Sequence, residues 1–292
     1  MVSKEPLKPL IVIVGETGSG KSALALEIAE KFNGEIIAGD SRTVYMGLDI
    51  GTAKPSKADR KQIAHYLVDI TTPEKPLTVA EYKKLADKSI AEIHQRGKIP
   101  ILVGGSGLYI DAIIFDYSFR PTADPFKRQQ LEQLTVEQLQ EIIKASHIQL
   151  PQNALNKRYL IRTIETEGVK PKKHHLRPNT LIIGLRITKQ ELSNRLKNRA
   201  KGMVDQGLIK ETQKAFKNYG WDIEALHAPA YSSVRQFIEG NIKKNEIAGL
   251  CVQLDLKLAK KQRTWFKRNK SIHWVEKQIQ AVDLITTFLN KQ

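Results

Sequence analysis

The sequence is poor in cysteine and has no long apolar run. Its 292 residues include one cysteine, Cys251, which can form neither an internal disulfide nor a cysteine-based zinc site. The longest wholly apolar run near the start, Leu10–Val14, is too short to cross a bilayer. Residues 1–9 lack the apolar segment of a secretory signal. We therefore expect a cytoplasmic protein with no membrane partner, in which Cys251 is a packed thiol.

Acidic residues are also scarce, and the shortage is uneven. The chain has 47 Lys and Arg against 31 Asp and Glu. Residues 1–150 contain 19 basic and 19 acidic side chains, whereas residues 151–292 contain 28 and 12, so the second half carries the whole excess of 16. With 41% apolar residues the chain can build a core. The basic half indicates either a polyanionic partner such as nucleic acid or a merely solvated cationic surface.

Short apolar strands alternate with amphipathic helices in the first half. The pattern predicts strands at 10–14, 35–38 and 99–103 and helices at 22–32 and 79–95. This alternation is typical of an open parallel α/β sheet.

The composition and the predicted secondary structure change after residue 120. Gln- and Glu-rich helices are predicted at 124–134 and 135–145, a further strand at 181–185, and mainly helix from 189 onward. We expect an α/β core formed by 1–118 and 179–292, with a helical C-terminal part, and a helical insert domain at 119–178.

A phosphate-binding motif lies between the first strand and the first helix. The segment fits G-x-x-x-x-G-K-[ST], which is expected between a strand and a helix; its residues are Gly15, Glu16, Thr17, Gly18, Ser19, Gly20, Lys21 and Ser22. The glycines let backbone N–H groups surround a phosphate, Lys21 neutralises its oxygens, and the Ser22 hydroxyl can ligate Mg²⁺. The motif predicts a P-loop NTPase-like core, but a nucleotide and another diphosphate ester would fit it equally well.

A carboxylate, Asp40, follows the second predicted strand. Ligands of open α/β sheets gather at the carboxyl ends of strands, so Asp40 could ligate Mg²⁺ or accept a proton; alternatively it caps a turn. The third strand ends in Gly104-Gly-Ser-Gly107 without an acidic residue, and Asp69 is interpreted as a turn. An ordinary ATPase is therefore disfavoured. The run Lys172-Lys-His-His175 is interpreted as a solvated basic loop rather than a metal site.

Four segments in this order resemble the tRNA dimethylallyltransferase family. They are residues 15–22, then Asp40-Ser-Arg-Thr-Val-Tyr-Met-Gly-Leu-Asp-Ile-Gly-Thr-Ala-Lys-Pro55, Leu102-Val-Gly-Gly-Ser-Gly-Leu-Tyr109 and Lys260-Lys-Gln-Arg-Thr-Trp-Phe266. The resemblance extends from about residue 10 to residue 274. Its D-x-G-T-A-K-P and K-[KR]-Q-x-T-W segments are more specific than the phosphate loop.

The resemblance implies a reaction. The dimethylallyl group of dimethylallyl diphosphate would pass to the exocyclic amino group of the adenosine 3′ of a tRNA anticodon, releasing diphosphate. The loop would hold that diphosphate with Mg²⁺, Asp40 would be the general base, and Ser106, matching a family Thr, would help to position the adenine. Arg199 would reach the diphosphate, unless it belongs to a solvated helix face.

The resemblance also implies a tRNA surface. The expected contacts are Asp40, Ser41, Arg42, Thr43, Ser106, Arg128, Arg158, Tyr159, Arg162, Lys260, Lys261, Gln262, Arg263, Trp265 and Lys267. Trp265 and Phe266 could stack on nucleotides or belong to the core. We expect the protein to act as a monomer.

The chain departs from the family pattern at three places. Glu16 replaces a proline, Pro229-Ala-Tyr-Ser232 replaces I-G-Y-[KR], and Asp255-Leu256 replaces Thr-Arg. We expect the last two to face the tRNA.

Three other functions compete with this interpretation. An adenylate isopentenyltransferase acting on a free nucleotide would not need the basic half. An RNA-stimulated NTPase or kinase would need a second carboxylate at a strand end, and this sequence has none there. A non-catalytic RNA-binding protein would leave the loop and Asp40 unexplained.

Overall fold

The structure, a computed structural model, describes residues 8–119, 124–170 and 172–291. Its backbone contacts define two compact units, Met1–Ile114 with Leu176–Gln292 and, separately, Phe115–His175. The second unit begins and ends a few residues earlier than the predicted insert, 119–178. The assignment of these units as domains stays a prediction.

The first unit is built on one six-stranded sheet in which all the strands are parallel. The strands are β1 (Leu10–Val14), β2 (Gly34–Ala38), β3 (His65–Tyr66), β4 (Ile99–Gly104), β5 (Thr180–Leu185) and β6 (Ile272–Val275). Their order is β3-β2-β4-β1-β5-β6. The predicted α/β fold class with a parallel core is confirmed. The short strands β3 and β6 were not predicted.

Twelve α-helices lie in the described part of the chain. The first unit contains α1 (Lys21–Lys31), α2 (Lys57–Gln62), α3 (Val79–Gln95), α4 (Gly107–Ile114), α8 (Lys189–Asp205), α9 (Leu208–Tyr219), α10 (Pro229–Ile238), α11 (Ile247–Phe266) and α12 (Gln278–Leu289). The second contains α5 (Pro125–Gln133), α6 (Val136–Ala145) and α7 (Lys157–Glu165). Capping boxes at Ser56, Thr78 and Thr135 fix the starts of α2, α3 and α6.

The sheet is covered on both faces, which is why every residue of β1 is buried. Side chains of α1 and α12 pack with β1, β4 and β5 in one apolar cluster. Helices α3 and α4 also contact the sheet, at β2 and β4. A second cluster, which contains no strand residue, joins α8, α9, α10 and α11. Cys251 is buried in this second cluster, where burial raises the pKa of its thiol to about 12. The predicted packed thiol is therefore confirmed.

The second unit has a small core of its own. Leu139 and Ile143 of α6 pack with Leu160 and Ile161 of α7. The loop before residue 175 is tied to the start of this unit, since Lys172 pairs with Ser118 and the His174 ring hydrogen-bonds the Ser118 hydroxyl at 2.9 Å. Across both units, no helix in the ranges described is long and apolar enough to cross a membrane.

Candidate active site at the carboxyl edge of the sheet

The phosphate loop joins β1 to α1 and has the backbone that its glycines predict. Gly18 and Gly20 have φ of 78° and 96°, in the left-handed region that favours glycine. The Ser19 N–H closes the turn on the Glu16 carbonyl at 3.1 Å. Ser22 is the second residue of α1 and is exposed, so its hydroxyl lies at the helix N-terminus, where anions are favoured.

Lys21 lies among charged groups of both signs. Burial lowers the pKa of its ammonium to about 8, although Asp40 and Glu16 act in the opposite direction. Its Nζ donates to the Glu16 carbonyl at 3.4 Å. An anion bound beside this lysine would therefore stabilise the protonated ammonium and raise its pKa.

Asp40 lies beyond the end of β2 and next to the glycine segment that follows β4. The two strands continue to contact each other past their ends, with Gly39 N–H to the Val103 carbonyl at 2.7 Å and Ser106 N–H to the Gly39 carbonyl at 3.3 Å. A Cβ on Gly104 would lie 1.9 Å from the Gly39 carbonyl oxygen, so only glycine allows this approach. The phosphate loop, Asp40 and Ser106 thus share the carboxyl edge of the sheet, where ligands of open α/β sheets gather.

The segment after Asp40 forms a tight, internally bonded turn. An Asp40 carboxylate oxygen accepts the Arg42 N–H at 2.9 Å, and the Ser106 hydroxyl accepts the Ser41 N–H at 2.9 Å. The Arg42 guanidinium donates to the Glu224 carbonyl, and Thr43 is buried. The expected tRNA contacts of Arg42 and Thr43 therefore compete with partners inside the protein.

Two arginines of α8 reach the phosphate loop. Arg199 donates to the Thr17 hydroxyl at 2.7 Å, and Arg195 donates to the Ser19 carbonyl at 2.9 Å. The alternative of a solvated helix face is therefore wrong for Arg199. Sequence reasoning did not assign Arg195 to the site, although its i,i+4 spacing from Arg199 places both on one helix face.

The last part of α11 turns one stripe of side chains inward. Asp255, Ala259, Gln262, Arg263 and Phe266 are spaced at helical period and are buried or half-buried, whereas Lys260, Lys261 and Lys267 are exposed. Gln262 and Arg263 were expected to face tRNA. Instead, the Gln262 amide accepts the Thr17 N–H at 2.8 Å and donates to the Gly105 carbonyl at 3.0 Å.

Arg263 binds the second residue of the phosphate loop. Its guanidinium contacts both carboxylate oxygens of Glu16, with Nη2 at 2.6 and 2.9 Å. Glu16 is 6% exposed. Helix α11 is therefore fixed to the loop by a charged pair and by the neighbouring glutamine.

The two aromatic residues at the end of α11 differ. Phe266 is 2% exposed, so it belongs to the core and is not available for stacking on a nucleotide. Trp265 is half-buried, donates to Asp111 at 3.1 Å and closes on Gly107, where a Cβ would lie 2.3 Å from its ring.

The departure at Asp255 lies in the phosphate pocket and not on the outer face of α11. Asp255 is buried, which raises the pKa of its carboxyl, while Arg199 and Lys21 oppose that rise. The expectation that this position faces tRNA is wrong, because residue 255 belongs to the inward stripe. Leu256, next to it, is exposed.

In the departure at 229–232, Ala230, which stands where the pattern has glycine, is also buried, as is Tyr231, which the pattern shares. Tyr231 is fully buried and donates to Glu211 at 2.8 Å. The same Glu211 carboxylate accepts the N–H groups of Asp49, Ile50 and Gly51 at 2.9–3.1 Å. This part of the D-x-G-T-A-K-P segment is thus held by the core, and Tyr231 does not face an RNA.

The expected tRNA contacts of the second unit lie on α5 and α7. Arg128 and Arg162 both bind Glu165, whose side chain is fully buried, at 3.2 and 3.1 Å, and each keeps 43% of its side chain exposed. Arg158 and Tyr159 are exposed at the start of α7. These four residues form one basic surface with an aromatic ring.

The oxygen donors at the sheet edge fit a magnesium ion that takes most of its ligands from phosphate oxygens and water. Ser22 and Asp40 offer hard oxygen atoms, and among the residues described no three His, Cys, Asp or Glu side chains form a metal-holding group. Mg²⁺ commonly takes one or two protein ligands together with phosphate oxygens and waters. Asp69 is unsuited, since Lys54 and Arg60 bind it at 2.5 and 2.7 Å.

Fold and site together define a P-loop α/β protein with a carboxylate beside its phosphate loop and no acidic residue in the segment after β4. The model of the IPP transferase family matches residues 43–269. The chain belongs to this family, for the match covers most of its length.

Curated relatives agree over nearly the whole chain. A tRNA dimethylallyltransferase of Anoxybacillus flavithermus is 36% identical over 91% of this chain and 90% of its own. One of Picosynechococcus is 36% identical over 97% of each chain.

Solved structures extend this agreement to the fold. The tRNA isopentenylpyrophosphate transferase of Bacillus halodurans superposes with a TM-score of 0.76 at 31% identity, covering 98% of both chains. A eukaryotic dimethylallyltransferase acting on tRNA, 22% identical, has a TM-score of 0.78 over 92% of this chain and 74% of its own, which supports the shared fold.

Proposed function

We propose that the protein transfers the dimethylallyl group of dimethylallyl diphosphate to the exocyclic amino group of the adenosine 3′ of a tRNA anticodon. The observation that carries this proposal is the meeting of three strand ends: the phosphate loop after β1, Asp40 after β2 and Ser106 after β4. The relatives named above are tRNA dimethylallyltransferases.

The diphosphate of the donor lies in the loop. Lys21, the Ser22 hydroxyl, the N-terminus of α1 and the α8 arginines supply positive charge or hydrogen bonds to it. As the C–O bond breaks, negative charge grows on the leaving diphosphate and these groups stabilise it. Mg²⁺, held by Ser22 with Asp40 as a second candidate ligand, would supply further charge stabilisation when bound.

Asp40 acts on the acceptor. The adenine amino nitrogen is a poor nucleophile because its lone pair is delocalised into the ring. A carboxylate that removes its proton as the new N–C bond forms overcomes this weakness. Ser106 positions the adenine and, through Ser41, holds the turn that carries Asp40.

The tRNA reaches this edge by presenting an unstacked base from its single-stranded anticodon loop. Its backbone is held by basic side chains: Lys260 and Lys261 on α11, Lys267 directly after α11, and Arg128, Arg158 and Arg162 of the second unit, with Tyr159 as a stacking ring. Monomeric action and a cytoplasmic location stay predictions.

One assay tests the function against its alternatives. The protein and Mg²⁺ are incubated with labelled dimethylallyl diphosphate in three parallel reactions, which contain unmodified tRNA, AMP or ATP as the acceptor. We expect label in tRNA. Label in AMP or ATP instead would establish an adenylate isopentenyltransferase, and ATP hydrolysis without transfer would contradict both prenyltransferase assignments.

A further inference from the structure

The second residue of the phosphate loop is an acid, which is an unfavourable neighbour for a diphosphate. Glu16 directly follows Gly15, and its carboxylate is buried to 6% exposure. It is close enough to Lys21 to influence the pKa of that lysine. A buried negative charge at this place would repel an incoming phosphate and would compete for the cation that should hold it.

The structure compensates this charge from helix α11. Arg263 contacts both Glu16 oxygens through Nη2 and adds a third contact from Nε at 3.2 Å. A bidentate guanidinium–carboxylate pair of this kind is strong and directional. The two residues are 247 positions apart in the chain, so the pair exists only in the folded protein.

Unlike a surface salt bridge, the Glu16–Arg263 pair lies beside a second contact between α11 and the phosphate loop. Gln262, the residue before Arg263, binds the loop at Thr17 and the β4 segment at Gly105. Arg263 and Gln262 therefore fix the first residues of the loop, while Lys260 and Lys261, their neighbours on α11, face solvent.

We propose that Arg263 is a positioning residue for the prenyl donor, which neutralises Glu16 so that the loop accepts a diphosphate. The role rests on the proposed function, since it concerns the same diphosphate site. It replaces the expected tRNA contact of Arg263. Its guanidinium is engaged with the loop through both carboxylate oxygens of Glu16.

This role predicts an unequal response to the two single substitutions. Arg263→Gln leaves Glu16 buried and unpaired, so we expect diphosphate binding to weaken by about tenfold or more. Glu16→Gln removes the repulsive charge, so binding stays the same or tightens. In Glu16→Gln/Arg263→Gln no charge is left uncompensated, and binding returns to within about threefold of the starting protein.

The measurement is calorimetric titration of the full chain with inorganic diphosphate in the presence of Mg²⁺, alongside the KM for dimethylallyl diphosphate and the Kd for tRNA. Lys257→Gln removes one exposed positive charge from the same helix and serves as the matched control, with unchanged diphosphate binding. Circular dichroism melting establishes that each variant is folded.

Three results would overturn the proposal. Glu16→Gln could weaken diphosphate binding as much as Arg263→Gln, which would indicate a merely structural bridge. The double variant could be as weak as Arg263→Gln, or Arg263→Gln could impair tRNA binding alone. If Arg263→Gln does not fold, weaker diphosphate binding by Glu16→Gln than by the unaltered protein would by itself overturn the proposal. Failure of the unaltered protein to bind any diphosphate would instead contradict the proposed function.

Discussion

Strand β2 carries a carboxylate near each end, and the two are held in opposite ways. Glu35, at the amino end, is buried and binds Lys98 at 2.9 Å, Arg96 at 2.7 Å and the Tyr66 hydroxyl at 2.8 Å. Asp40, beyond the carboxyl end, is half-buried, and the contact found for its carboxylate is the Arg42 N–H.

The different partners of the two carboxylates indicate a structural role at the amino edge of the sheet and a chemical role at the carboxyl edge. Burial alone would raise the pKa of Glu35, but hydrogen bonds from Lys98, Arg96 and Tyr66 outweigh it and lower the pKa. That carboxylate is fully partnered and stabilises the fold. Asp40 retains lone pairs for an incoming proton or metal, as expected of a group that acts on a ligand.

The largest effect should come from removing the acceptor at the carboxyl end. For Asp40→Asn we expect the single-turnover rate of transfer to tRNA to fall by about 10² to 10⁴, because the amide cannot take the amino proton. Binding of tRNA and diphosphate should persist. A rate within a few-fold of the unaltered protein would remove Asp40 from the role of base.

A smaller effect should come from loosening the turn that carries Asp40. Ser106→Ala leaves the Ser41 N–H without its acceptor, so we expect transfer to slow by about tenfold at saturating donor. Ser106→Thr keeps the hydroxyl and is the control, with a rate near normal. Equal rates for the alanine and threonine variants would show that the hydroxyl is dispensable.

The amino end should respond in stability and not in catalysis. Glu35→Gln replaces a charged hydrogen-bond acceptor that has three donors, and we expect the free energy of unfolding to fall by about 1–3 kcal/mol. Transfer by the folded fraction should be unchanged. Denaturant unfolding and the kinetic assay together check this, and a loss of rate in fully folded protein would contradict the division between the edges.

The smallest effect is a dependence on acid. The pKa of Glu35 is lower in the folded protein than its ordinary value of 4.5. Its contribution to stability is therefore complete above about pH 4.5 and is lost as the pH falls through the folded pKa. The difference in unfolding free energy between Glu35→Gln and the unaltered protein should shrink below this pH. A gap that stays constant down to pH 3 would contradict the assignment.

Much of the sheet could be predicted because its signals are local. The apolar runs at β1 and β4 and the capped amphipathic α3 give their bounds to within one residue. The strands β3 and β6 could not be found, because β3 has two residues and β6 has exposed His273 and half-buried Trp274 between buried Ile272 and Val275. Their pairing depends on strands far away in the chain.

The site divides in the same manner. Lys21, Ser22 and Asp40 follow from a motif and from strand ends, whereas the departures at 229–232 and 255–256 were expected to face tRNA, and Ala230 and Asp255 are buried. For Asp255, the i, i+4, i+7, i+8 and i+11 spacing of the inward stripe on α11 was present in the sequence. Only the adjoining helices determine which stripe of a helix is covered.

By itself the sequence determined the phosphate loop, the carboxylate at the end of the second strand and the parallel α/β core. These depend on residues close together in the chain, where glycine conformations and apolar periodicity act directly. The tertiary structure decided that Gln262 and Arg263 bind the loop while Lys260 and Lys261 stay exposed. The physical reason is that a contact between Glu16 and Arg263 joins residues 247 positions apart, so it depends on how α11 packs against α8, α10 and α4 and not on any local pattern.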